Sequence, residues 1–141
     1  MKKPLGFSLL ELMVILAIMG ILVSLALPAY NNHFKRSKFT EVIIMTQALQ
    51  RVIEICFYNH SSLDNCSSFE KVARKETDFT DSSYVADIEI ANNTNFTITA
   101  TATEEASIGT SDTYIMQATI NGNQLVWRLS PSSTCISAGT C

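Results

Sequence analysis

The sequence predicts an α+β protein: one long N-terminal α-helix, apolar in its first half and amphipathic in its second, packed on a small antiparallel sheet of three to four strands with disulfide-closed loops. Three observations carry that prediction. An almost uncharged apolar run fills Phe7 to Tyr30, a helical stripe follows from Phe39 to Phe57, and the hydrophobic period changes to two from Tyr84 onward. Recurrence at three- and four-residue steps marks one buried helix face, whereas alternation marks a half-buried strand.

The apolar run comprises twenty-four residues with one charge, Glu11. As a helix rising about 1.5 Å per residue it spans roughly 36 Å, enough to cross a bilayer. Lys2, Lys3 and Pro4-Leu5-Gly6 precede it, so the charged leader stops at Gly6 and the helix begins at Phe7. Glu11 needs a reason to be there. A carboxylate in the apolar part of a membrane helix costs about 2.5–3.5 kcal/mol on insertion scales, which makes it a functional residue in need of a partner. Cleavage after Gly6 creates one, the new α-amino group of Phe7, one helical turn from Glu11; a carboxylate in the first turn also suits the positive end of the helix dipole. In a packed bundle the same acid reaches the amine of a neighbouring copy, which ties association to register.

An ordinary secretory signal is the competing reading, with Ser24-Leu25-Ala26 as its cleavage site. The apolar core is longer than the usual 7–15 residues of such signals, and an acid at its start has no use there.

The second half of the helix is read from Phe39, Val42, Ile43, Thr46, Leu49, Val52, Ile53, Cys56 and Phe57, an apolar stripe on an otherwise polar segment. Gly20 has weak helix propensity, and Pro28 lacks an amide hydrogen, so the helix is expected to bend or loosen there. Lys35, Arg36 and Lys38 follow the apolar half as a solvated collar. With lysines also at positions 2 and 3, charge bias alone does not orient the span.

Residues 59–80 are rich in Ser, Asn and Asp and read as a loop. Within it Lys71, Arg74 and Lys75 fall at helical spacing, suggesting a short turn with a basic face. A solvated face is the plain explanation, and contact with DNA the sharper one. Strands are expected over Tyr84–Ala91, Phe96–Thr103, Thr113–Ile120 and Gln124–Leu129, with Asn121-Gly122-Asn123 as the hairpin between the last two. One sheet face would bury the helix stripe, because neither element can cover its apolar side unaided.

Four cysteines, Cys56, Cys66, Cys135 and Cys141, allow three pairings. The short separations favour Cys56 with Cys66 and Cys135 with Cys141, and bridges imply an oxidising compartment for this part of the chain. No Cys-x-x-Cys occurs, and His33 and His60 lack a ligand-like spacing to the cysteines, so no metal site is expected. The net charge of −3 falls further when Lys2 and Lys3 leave with a leader, and an acidic body does not advertise nucleic-acid binding. There is no Gly-rich phosphate loop and no histidine-based dyad. The acids Asp78, Asp81, Asp87, Glu89, Glu104 and Glu105 read as surface charges, so neither a cofactor nor enzymatic activity is expected.

The block Gly6-Phe7-Ser8-Leu9-Leu10-Glu11, followed by the apolar helix and Pro28-Ala29-Tyr30, resembles the processing and assembly segment of type IV pilins. The resemblance implies cleavage between Gly6 and Phe7 by a prepilin peptidase, N-methylation of Phe7, and an assembly role for Phe7 and Glu11. It also implies a stretch between Gly20 and Pro28 that can lose helicity on assembly. The C-terminal Thr134-Cys135-Ile136-Ser137-Ala138-Gly139-Thr140-Cys141, after a strand bearing Trp127, is similar to the tail of a subgroup of major pilins that carry an earlier cysteine pair too. The expectation that follows is a leader over 1–6, a membrane and assembly helix over 7–30, and a surface head over 31–141. The chain would wait in the inner membrane, then polymerise through the inner-membrane assembly machinery into an extracellular pilus serving adhesion, twitching motility or DNA uptake. A minor pilin or secretion pseudopilin shares the N-terminal block. From another class, a binding module with a simple signal or anchor would start elsewhere after processing.

Overall fold

The computed structural model describes residues 6–104 and 112–141. The leader residues 1–5 and Glu105 lie outside the described residues. The order of elements is α1 (Leu9–His60), a 3-10 turn (Asp64–Cys66), α2 (Thr77–Thr80), β1 (Val85–Asn92), β2 (Phe96–Ala102), β3 (Thr113–Asn121), β4 (Gln124–Leu129) and α3 (Thr134–Ala138). The chain divides into two units, one ending at Phe34 and one covering Lys35–Cys141.

In the first unit, α1 starts two residues later than the apolar run suggests. Phe7 and Ser8 are not helical, and the Ser8 carbonyl accepts the first helical bond, from the Leu12 amide at 3.2 Å. Helical backbone continues without a break through Gly20 and Pro28. Every residue from Phe7 to Leu27 is exposed, so this unit offers its own apolar side chains no core.

In the second unit, the rest of α1 lies on the sheet. Phe39, Val42, Thr46, Leu49, Ile53, Cys56 and Phe57 are buried, as their spacing requires, while Ile43 and Val52 flank them half-buried. Burying each large apolar side chain contributes about 1.5–3 kcal/mol. The buried Thr46 hydroxyl donates to the Val42 carbonyl at 2.8 Å, one turn back, and so leaves no polar hydrogen unsatisfied. The helix outlasts its stripe by one turn and stops where Ser61 adopts φ 53° and its amide closes on the Phe57 carbonyl at 2.7 Å.

The sheet is an antiparallel meander in the order β1-β2-β3-β4. Its central strand β2 alternates strictly: Phe96, Ile98, Ala100 and Ala102 point to the core, and Thr97, Thr99 and Thr101 to the other face. Ile98 sits opposite Ile90 on β1 and Met116 on β3, so the register places apolar side chains in one layer. Gly122 supplies the positive φ of 63° that the two-residue turn between Asn121 and Gln124 requires. Two edge-to-face ring pairs complete the core: Phe39 with Tyr114 at 6.3 Å and Phe96 with Trp127 at 6.2 Å.

Both favoured cysteine pairings are formed, Cys56–Cys66 with Cα atoms 6.0 Å apart and Cys135–Cys141 with 5.3 Å. The first ties the loop back to the end of α1. The second closes α3, whose end is set by Gly139 at φ 68°.

One expectation holds only in part. Residues 69–73 form hydrogen-bonded turns, but no helix carries Lys71, Arg74 and Lys75 on a common basic face. Ala73 takes φ 53°, which ends the turn, and Phe69, Val72 and Phe79 are drawn toward the core. Lys71 bends back instead, its Nζ donating to the Asp64 carbonyl at 2.6 Å and to Ser67 Oγ at 3.0 Å.

Candidate functional site

The chemistry expected at the N-terminus occupies the two residues before α1 and its first turn. The Gly6–Phe7 peptide bond lies outside the helix, and the Phe7 side chain is 74% exposed. In the uncut chain the Phe7 nitrogen is a peptide amide, so no amine faces Glu11. Among the described residues Glu11 has no cationic partner, and apart from Ser8 its helical neighbours are exposed apolar side chains. Ser8 and Glu11 also stand at capping-box spacing, with Ser8 accepting the first helical bond. That spacing was legible in the sequence, but among the described residues no side-chain bond joins Ser8 and Glu11.

The head carries an apolar stripe that the reading of the buried face passes over. Ile44, Ile55 and Tyr58 are 54, 63 and 73% exposed. They lie eleven and three residues apart, which puts them on one line of the helix surface, with Ala48 and Arg51 between. Away from the sheet the helix thus presents Ile44 and Ile55, while Tyr58, at the end of the line, borders the tip of the β3–β4 hairpin.

Polar contacts fasten the helix flanks to β4 and to the loop before β1. Trp127 Nε1 donates to Glu54 Oε1 at 2.9 Å, and Ser82 Oγ donates to Glu41 Oε1 at 2.6 Å. Of the collar, Lys38 Nζ lies 5.8 Å from the centre of the Tyr84 ring. Burial pushes the Tyr114 hydroxyl above its ordinary pKa. A second contact was missed in the sequence: His60 Nδ1 lies 3.8 Å from Cys56 Sγ and 3.0 Å from the Cys56 carbonyl oxygen, a consequence of the i, i+4 spacing. Cys56 and Cys66 would complete a soft ligand set with His60 only as free thiolates, and both sulfurs are spent on their bridge. His60, Lys71 and Arg74 share a shallow depression of about 280 Å³, which Lys75 does not line.

Helix, sheet and N-terminal block together define a class. Residues 1–27 match the prokaryotic N-terminal methylation motif. Among relatives, the chain is 30% identical over 133 residues to the type IV major fimbrial protein FimA of Dichelobacter nodosus, covering 92% of this chain and 85% of that one. It is 43% identical over 68 residues to the type IV pilus subunit protein TapA of Aeromonas hydrophila, about half of either chain at 48%. It is 32% identical over 87 residues to the type IV major pilin protein PilE1 of Neisseria gonorrhoeae, covering 62% of this chain and 52% of that one. This chain belongs to the type IV pilins. The relatives are named as pilus and fimbrial subunits, which are structural proteins.

Proposed function

We propose that the chain is a structural subunit of a type IV pilus. The observation that carries this is the bare helix: from Phe7 to Leu27 all residues are exposed among the described residues, and they include a single charge. Before assembly a bilayer supplies the cover, and residues 1–6 form the leader that prepilin peptidase removes at Gly6–Phe7. N-methylation of the new Phe7 terminus keeps its positive charge available to a carboxylate. After assembly identical helices supply the cover, and Glu11 meets the amine of its own or a neighbouring Phe7. Head-to-tail contacts of this kind do not close on themselves, so they propagate as a fibre. Residues 7–30 would form the filament interior and 31–141 its surface, with the Gly20–Pro28 stretch free to unwind under load. The sites of residence are accordingly the inner membrane and then the extracellular pilus.

Mass analysis of the N-terminus of the exported protein tests the maturation step. A methylated start at Phe7 is expected, and a start near Leu27 would end the proposal in favour of a simple signal. Glu11→Ala tests assembly: processing should be retained and filament yield should collapse. Filaments at wild-type yield would remove the role given to Glu11. Dominance of this chain in sheared filaments marks it as the major subunit.

A further inference from the structure

The last two turns of α1 and the tip of the β3–β4 hairpin flank a half-open cavity of about 250 Å³, lined by Glu54, Phe57, Tyr58, Asn123, Gln124 and Leu125. None of the six belongs to the N-terminal machinery. Phe57, 4% exposed, and the half-buried Leu125 make part of the lining apolar. Glu54, Tyr58, Asn123 and Gln124 are exposed and make the rest polar.

Glu54 is held in place. Its Oε1 accepts the Trp127 indole hydrogen at 2.9 Å, while among the described residues Oε2 has no partner. Tyr58 stands one turn further along the same flank of α1, its ring 73% exposed. The tight turn at Gly122 brings the two hairpin carboxamides to the opposite side.

This combination narrows the ligand chemistry. The lining holds one carboxylate and no cation, so an anion is repelled. A wholly apolar ligand would strip water from a carboxylate and two carboxamides without replacing their hydrogen bonds, a loss of the kind that makes buried polar groups costly. A ligand with hydroxyl groups on its edge and an apolar face satisfies both halves of the lining. Hydroxyls can donate to Glu54 Oε2 and the amide oxygens and accept from the amide N–H groups, while C–H bonds rest on the Tyr58 ring. A few convergent polar groups beside an apolar surface are the usual make-up of a small-ligand site. We infer that this cavity binds one uncharged hexose unit of a glycan, independently of how the subunit assembles.

Trp127 is the sole tryptophan, and its indole hydrogen rests on Glu54, so its fluorescence reports on the site. The full chain, in a detergent without a sugar headgroup, is titrated with glucose, galactose, N-acetylgalactosamine, sialic acid and tetramethylammonium. At least one neutral hexose should give a saturable change with a Kd on the order of 1 mM, the range open to so few non-hydrogen atoms. Tyr58→Ala, at an exposed position, should weaken it at least tenfold, while Tyr58→Phe keeps the ring and should stay within about threefold. No saturable change with any neutral hexose at roughly 100 mM, a hundredfold above that Kd, overturns the inference. So does a change that survives Tyr58→Ala. Tighter binding of tetramethylammonium than of any sugar overturns it as well, since the cavity would then be a cation site.

Discussion

Among the described residues, Gln50 is a buried side chain whose chemistry disagrees with its surroundings. It is 9% exposed, and among the described residues its Nε2 is buried without an acceptor. An unmade hydrogen bond on a buried amide costs about 1–3 kcal/mol. Gln50→Met keeps an unbranched chain of similar length, removes the amide and adds apolar burial, so it should stabilise the head by about 1–2 kcal/mol. For a domain near 100 residues, each kcal/mol moves the midpoint by roughly 4 °C or more. Thermal unfolding of the full chain in detergent, followed by Trp127 fluorescence, therefore should show a rise of about 4–8 °C. Gln50→Glu should shift the midpoint the other way at neutral pH, because a buried carboxylate without a partner is costlier still. A fall in midpoint for Gln50→Met would refute the reasoning and imply that the amide is satisfied by something it holds in solution.

Further perturbations follow from the same geometry. Replacing Cys56 and Cys66 by alanine opens a loop of sequence separation 10 and should lower stability by about 3 kcal/mol in the loop-entropy model, read as a shift of the denaturant midpoint at unchanged slope. Burial raises the Tyr114 pKa, so its neutral form favours the folded state; that contribution is intact below the unfolded value of about 10 and is lost as pH rises beyond it. Stability curves at pH 8 and pH 11 should accordingly show Tyr114→Phe gaining on the parent at the higher pH, and a constant difference would refute this. Ile55→Glu places a charge on the exposed helix stripe, where the head has little to lose: its midpoint should stay within about 0.5 kcal/mol of the parent, while sheared-filament yield falls if copies pack there.

Much of the fold was written in local periodicity. The stripe from Phe39 to Phe57 and the alternation Phe96-Ile98-Ala100-Ala102 each follow from one residue's distance to the next, and each element buries the side its pattern selects. Short separations likewise decided both disulfides, since loop closure favours near partners. What stayed illegible depends on contacts between distant parts of the chain. No spacing rule anticipates Trp127 on Glu54, seventy-three residues apart, and although Gln50 falls on the stripe, four residues after Thr46 and three before Ile53, its polarity leaves it out of an apolar pattern. The basic turn was legible only in part: Lys71 and Arg74 do line one depression, as their spacing puts them, but the left-handed Ala73 ends the turn before Lys75 can join them, and Phe69, Val72 and Phe79 are drawn toward the core. At the N-terminus the sequence was informative because Glu11 is an exception to its surroundings. The partner proposed for it is an amine that only cleavage would create, which the uncut chain does not carry.

The C-terminal residues do more than close a loop. β3 extends beyond β4, whose pairing begins at Met116, and this leaves the backbone of Thr113 and Ile115 to find other partners. The Ser130 amide donates to the Ile115 carbonyl at 2.8 Å, Ser133 Oγ accepts the Ile115 amide at 3.0 Å, and Thr134 Oγ1 accepts the Thr113 amide at 2.7 Å. An unsaturated sheet margin is a template for a foreign strand, and the hazard grows with crowding. Molecules stacked side by side in a fibre would present such margins to one another for the fibre's whole lifetime. By saturating this one from within, the tail removes a route to amyloid-like accretion and leaves growth to the greasy rod.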